Sequence, residues 1–167
     1  KIYILGAGSN ILVSDDTFNG IVIKLGKNFS NVTLLPNDII VAGSACTDKK
    51  LSDFASDNEI GGLEFLACIP GTIGGGLKMN AGCYDREFKD ILVSIQAIDR
   101  LGRVLTIPAN KIFFEYRNNN LSDDLLFLSA SFKGEKKNKK EIKKKVLELR
   151  NKKDNTQPTK IKTSGST

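Results

Sequence analysis

GGLEFLACIPGTIGGGLKMNAG, residues 61–82, holds seven of the fifteen glycines in this 167-residue chain. Each glycine inside a helix costs about 1 kcal/mol relative to alanine, so the run is predicted not to form an ordinary helix. It is also too apolar for a flexible linker, because Leu63, Phe65, Leu66, Ile69, Ile73, Leu77 and Met79 are interleaved with the glycines. The combination predicts an ordered loop in a packed wall, shaped so that backbone N–H groups face a ligand. Such nests of N–H groups suit phosphate oxygens.

Outward from that run, the composition fits one domain with a fragment of a second. No apolar stretch approaches 18 residues, so a transmembrane helix is not expected. The chain opens at Lys1, already in a strand-like run, and ends in a polar loop; it reads as a piece of a longer protein. There is no histidine, which removes Ser-His-Asp and Cys-His catalysis and His-ligated metals from this segment. Cys46, Cys68 and Cys83 form no C-x-x-C pair, so small buried thiols in a reduced, cytoplasmic chain are expected; a reactive Cys83 rests on position alone. The net charge of +6 is local. Residues 133–153 carry 11 basic and 3 acidic residues, and the remainder of the chain is net −2. These lysines surround an apolar stripe and are interrupted by Glu141 and Glu148. A solvated helix face is expected rather than a nucleic-acid or membrane surface.

The element pattern is mixed. KIYIL (1–5), IVIKL (21–25) and DIIVA (38–42) read as strands. Between the first two, GAGSN (6–10) is a tight loop, and Ile11, Leu12 and Val13 continue as strand or short helix. Thr47 is the N-cap of a helix over 48–58, with Leu51, Phe54 and Ala55 inward. ILVSIQAI (91–98) and RVLTI (103–107) form a hairpin. KIFFEYR (111–117) leads to a polar turn at residues 118–120, LLFLSASF (125–132) is a strand, and residues 136–151 form a helix with Ile142, Val146 and Leu149 as its stripe. Antiparallel-type strands with few helices predict an α+β domain.

GAGSN after a strand invites a dinucleotide-binding reading, but the third glycine position is Ile11 and no acidic residue ends the next strand. Two readings stay open for it: phosphate contact through Ser9, Asn10 and the loop amides, or a plain glycine turn. Arg117, at the end of FEYR, suits a carboxylate or an enolate but is by itself an ordinary surface charge. Ser166 has no histidine to activate it, which leaves general-acid work.

In order, LGAGSNILVSDDTFNGIVI, then the glycine run with CYDRE, then FEYR and QPTKIKTSGST resemble the MurB family, the UDP-N-acetylenolpyruvoylglucosamine reductases of peptidoglycan synthesis. The resemblance implies non-covalent FAD in the two-part α+β fold of the vanillyl-alcohol-oxidase, or PCMH, type. It implies a cofactor site of Gly6, Ala7, Gly8, Ser9, Asn10, Gly62, Pro70, Gly71, Thr72, Gly74, Gly75, Asn80, Ala81 and Gly82. It implies that NADPH reduces the flavin and that hydride then passes to C3 of the enolpyruvyl UDP-sugar. Arg117 would stabilise the enolate-like charge, Ser166 would protonate C2, and a glutamate that this chain does not contain would assist. No metal, nucleic acid or membrane is implied, and a monomer is expected. The implied organisation is an incomplete first FAD-binding subdomain over 1–25, a second over 26–154, and the start of a linker to a substrate-binding domain over 155–167. The segment alone is expected to be inactive. Gly76, where the family often has alanine, and Asp85, where glycine is common, look tolerable. Two alternatives remain: another FAD-linked oxidase or dehydrogenase of the same fold, or a basic nucleic-acid-binding module.

Overall fold

The structure, a computed structural model, describes residues 1–157. Strands β1 (Ile2–Ile4) and β2 (Ile21–Ile23) pair in parallel, Ile2 opposite Ile21. Residues 5–20 join them without helix or strand, so Ile11, Leu12 and Val13 are neither of the expected elements; all three are exposed. An apolar tripeptide with no face to bury has nothing to fix its backbone.

Hairpin strands β3 (Val32–Leu35) and β4 (Ile39–Gly43) follow. Helix α1 (Asp48–Asp57) starts where Thr47 accepts from Lys50 N at 3.2 Å, and it buries Leu51 and Ala55 as its spacing predicts. Strand β5 (Ile60–Gly61) and a 3-10 turn (Glu64–Cys68) lead into helix α2 (Ile73–Lys78), six residues of sequence IGGGLK. Strands β6 (Gly82–Cys83) and β7 (Arg86–Glu87) make a tight hairpin, and β8 (Leu92–Ile98) with β9 (Val104–Pro108) a longer one. Strands β10 (Phe114–Glu115) and β11 (Asn118–Asn119) pair across a tip formed by Tyr116 and Arg117. Strand β12 (Leu126–Lys133), strand β13 (Glu135–Lys136) and helix α3 (Lys139–Thr156) complete the described chain.

The main sheet is antiparallel with strand order β3-β4-β12-β8-β9. Alternation along its inner strands buries Ile40 and Ala42, Ile95 and Ala97, and Ala130 and Phe132. Helix α2 lies against β12 and β4, while α1 and α3 both pack on the 3-10 turn. Strand β13 closes onto β5, which ties α3 back to the entrance of the glycine run.

Helix α2 corrects the expectation that the glycine run avoids helix. Three glycines cost it about 3 kcal/mol of propensity. Burial of Ile73 and Leu77, both fully inaccessible, returns about 1.5–3 kcal/mol each. The glycines are also what lets the helix fit. A β-carbon on Gly76 would stand 2.4 Å from Phe88 Cε2, and one on Gly74 would stand 3.1 Å from Ser44 Cβ. The turn expected at residues 118–120 is also displaced. Asn118 and Asn119 are strand residues, and the chain reverses at Tyr116 and Arg117.

Candidate functional site

The loop of residues 6–10 and the segment of residues 70–72 meet. Ser9 Oγ donates to Pro70 O. A β-carbon on Gly6 would stand 2.7 Å from Thr72 Oγ1, so glycine lets the two segments come this close without turning the Thr72 hydroxyl aside. Ala7, Gly8, Ser9 and Asn10 are exposed, as are Pro70 and Gly75. Gly8 has φ +79° with nothing within 4 Å of where its β-carbon would be. One side of the pair of segments is therefore interlocked and the other is open.

The expectation that the run's amides face a ligand narrows here. Ile73 N donates to Cys46 O at 2.9 Å, and Gly74 N to Ser44 O at 3.0 Å. Those two N–H groups dock α2 on the loop after β4. Further along, Ala81 N donates to Gly76 O, and Asn80 N to Leu77 O, closing the helix. Asn80 is fully buried with φ 40°. Its Nδ2 donates to Glu87 Oε2 (3.1 Å) and to Glu115 O (3.2 Å), and its Oδ1 accepts from Lys89 N. The Asn80 side chain is thus a cross-brace, with no N–H left for a ligand. Gly62, at φ +95°, accepts on its carbonyl from Arg86 Nη2. Gly82 accepts from Arg117 Nη2 at 3.3 Å.

Arg117 stands at the rim of a cleft of about 510 Å³, whose lining includes Gly82, Cys83, Arg86, Lys89 and Tyr116. The other cations there are matched: Lys89 Nζ lies 2.6 Å from Glu87, and Arg86 Nε lies 3.9 Å from Asp90. The hydrogen bond from Lys89 holds the Glu87 carboxyl below its ordinary range. Among the described residues no carboxylate lies within 4.0 Å of the Arg117 guanidinium; it rests on Gly82 O and 5.2 Å from the Tyr116 ring centroid. Glu87 feels the Arg117 charge only at longer range, and an arginine with no carboxylate in direct contact beside an open cleft is suited to an anionic group.

Burial pushes the thiols of Cys46 and Cys83 up to about 11, so both are protonated at neutral pH, and Cys83 is not an activated nucleophile. Asp48 is the residue that sequence reasoning missed. It was legible only as an acidic residue in the first turn of α1, yet it is fully buried. Among the described residues neither of its carboxylate oxygens has a hydrogen-bond partner. Its surroundings push its pKa up to about 8 through loss of hydration. It sits behind Gly71, next to the interlocked side of the two segments. Ser166 lies outside the described residues. Among the described residues no group of three or more His, Cys, Asp or Glu could hold a metal ion, and no helix is long and apolar enough to cross a membrane.

A family model described as FAD binding domain matches residues 1–108. The chain is 74% identical over 167 residues to the UDP-N-acetylenolpyruvoylglucosamine reductase of Pelagibacter ubique (strain HTCC1062), covering 100% of this chain and 55% of that protein. It is 50% identical over 162 residues to the protein of the same name from Rickettsia massiliae (strain Mtu5), covering 97% and 55%. It therefore spans about half the length of the curated relatives it matches. The crystal structure of UDP-N-acetylenolpyruvylglucosamine reductase (MurB) from Thermus caldophilus matches with a TM-score of 0.81 at 26% identity, over 92% of this chain and 56% of that one. A carbon monoxide dehydrogenase chain from Hydrogenophaga pseudoflava matches with a TM-score of 0.59 at 13% identity, over 80% and 52%, which shows likeness of fold alone.

Proposed function

We propose that this chain, which belongs to the FAD binding domain family, is the flavin-holding part of a UDP-N-acetylenolpyruvoylglucosamine reductase that uses NADPH. The observation that carries the reading is the meeting of residues 6–10 with residues 70–72, together with the unmatched Arg117 beside its cleft.

The residues present fit such a cofactor. The open flank of Gly8 and the exposed Ala7, Ser9 and Asn10 leave room and polar groups for a pyrophosphate. The residues that would hold it are Gly6, Ala7, Gly8, Ser9 and Asn10 on one side. On the other they are Gly62, Pro70, Gly71, Thr72, Gly74, Gly75, Ala81 and Gly82, with Asn80 bracing the wall. FAD, when bound, supplies the electron pair for reduction of the enolpyruvyl double bond. Arg117 would hold the substrate carboxylate and oppose the negative charge that grows on it. Ser166 would deliver the proton to C2. Residues 1–25 and 26–154 are assigned to the two flavin subdomains, and 155–167 to the path toward a substrate domain.

Four of the eight cations of α3 serve the fold on this reading. Lys139 and Lys143 meet Asp57, Arg150 meets Asp53, and Lys153 donates to Cys68 O at 2.9 Å. That use favours docking of the helix over a nucleic-acid surface.

The test uses the full-length protein. It should be yellow, with a flavin band near about 450 nm. It should turn over NADPH continuously when the enolpyruvyl UDP-sugar is present, beyond the single equivalent that reduces the flavin. Arg117→Ala and Ser166→Ala should lose turnover while flavin stays bound. Full activity after both changes would overturn the assigned roles, and a colourless protein unable to take up FAD would overturn the cofactor.

A further inference from the structure

The ribbon that carries Arg117 is only two residue pairs long: Phe114 faces Asn119, and Glu115 faces Asn118. A two-stranded ribbon this short does not hold its shape in water. Its tip is also strained, because Arg117 has φ 58°, a left-handed conformation that a side-chain-bearing residue rarely adopts. Backbone strain of this kind persists only where the surroundings impose it.

Two buried asparagines impose it. Asn119 is 6% exposed, and its Nδ2 donates to Leu77 O at 2.9 Å and to Lys78 O at 3.0 Å. Those carbonyls belong to the last turn of α2, where Leu77 O already accepts from Asn80 N and Asn119 adds a side-chain donor to it and to Lys78 O. Asn119 Oδ1 accepts from Leu121 N at 2.9 Å, fixing the chain as it leaves the ribbon. On the opposite strand, Glu115 O accepts from Asn80 Nδ2. The ribbon is thus fastened on both strands to the end of the glycine-run helix, and Arg117 reaches from its tip to Gly82 O in the same segment.

We infer that Asn119 is a positioning residue for Arg117, acting by anchoring the ribbon of residues 114–119 to the C-terminal carbonyls of α2. Asn80 is the second anchor. The guanidinium is thereby registered against the segment of residues 74–82 rather than against its own ribbon. The inference rests on the role given to Arg117 above.

The test separates the two halves of the reaction in the full-length flavoprotein by stopped-flow absorbance. One measurement is bleaching of the flavin band by NADPH; the other is its return when the enolpyruvyl UDP-sugar is added. Asn119→Ala should leave bleaching within about twofold and slow the return roughly tenfold to a hundredfold, the size of loss that a misplaced charge produces. In an Arg117→Ala background the same change should cost nothing further, because the group it positions is gone. If Arg117→Ala alone returns at the wild-type rate, the role of Arg117 falls. If Arg117→Ala is slow but Asn119→Ala is not, the positioning inference alone falls. It also falls if Asn119→Ala slows both halves, or slows the return equally with and without Arg117. Should Asn119→Ala not fold, Asn119→Asp carries the same comparison with the same outcomes. It keeps the size and the acceptor for Leu121 N while removing the donor to Leu77 and Lys78.

Discussion

The carboxyl of Asp48 and the α-carbon of Gly71 share one small space. A β-carbon on Gly71 would stand 2.8 Å from Asp48 Oδ2, and Asp48 N donates to Gly71 O at 3.3 Å. The first turn of α1 and the Pro-Gly-Thr corner are thus fitted to each other around a carboxyl group without a hydrogen-bond partner among the described residues.

That arrangement makes stability depend on pH with a definite sign. The folded-state pKa of Asp48 is raised from 3.8 to about 8 by burial. Between those values the folded chain holds a proton that the unfolded chain has released. The Asp48 contribution is therefore fully favourable below about pH 4 and is lost as pH rises toward 8. Asn at this position cannot ionise. Asp48→Asn should gain stability over the wild type at pH 9 and show a much smaller difference at pH 5, read as urea midpoints. An equal difference at both pH values would show that the ionisation of Asp48 does not matter.

Gly76→Ala tests the packing of α2. The added methyl would meet the Phe88 ring at 2.4 and 2.5 Å, so the glycine that stands here is the residue this packing accommodates. Better helix propensity returns about 1 kcal/mol, whereas overpacking costs about 1–3. We expect a net loss of about 1 kcal/mol in chemical denaturation, and recovery of part of it in Gly76→Ala with Phe88→Leu. A double variant no better than the single one would place the strain elsewhere.

Asp85 lies at the second tip position of the β6–β7 hairpin, where Tyr84 and Asp85 have φ 54° and 61°. Two positive φ angles in succession belong to a tip that favours glycine at this second place. Asp85→Gly should be neutral or stabilising by roughly 0.5 kcal/mol in thermal melts. A loss of 1 kcal/mol or more would mean that the Asp85 side chain has a role of its own.

Helix α3 should draw its stability from its narrow apolar stripe. Ile142 is 2% exposed, and Ile142→Ala should cost about 2–4 kcal/mol. Lys143 is an exposed partner of Asp57 at 3.8 Å, and Lys143→Ala should change the melting midpoint very little. Salt-dependent binding of the full-length protein to duplex DNA through this helix would reopen the nucleic-acid reading.

The local elements were legible because local rules fix them. Thr47 caps α1, alternation marks β4, β8 and β12, and Asp99 to Gly102 joins a hairpin as its composition predicts. The glycine loops were legible as places of close approach. The helix inside the glycine run was not, because propensity argues against it and only Phe88, Ser44 and the buried Ile73 and Leu77 argue for it. The basic helix read correctly as a solvated face with an apolar stripe, although Val146 is only half-buried.

What the sequence determines on its own is therefore the element pattern of an α+β domain, the two glycine segments, and the place of Arg117 at the end of FEYR. What only the tertiary structure decides is which groups meet. Asn119 finds Leu77 across 42 residues, Ser9 finds Pro70 across 61, and Asp48 is sealed beneath Gly71. Periodicity and propensity act over a few residues. The burial of a polar side chain, and the partner that satisfies it, are set by segments that come together only when the chain folds.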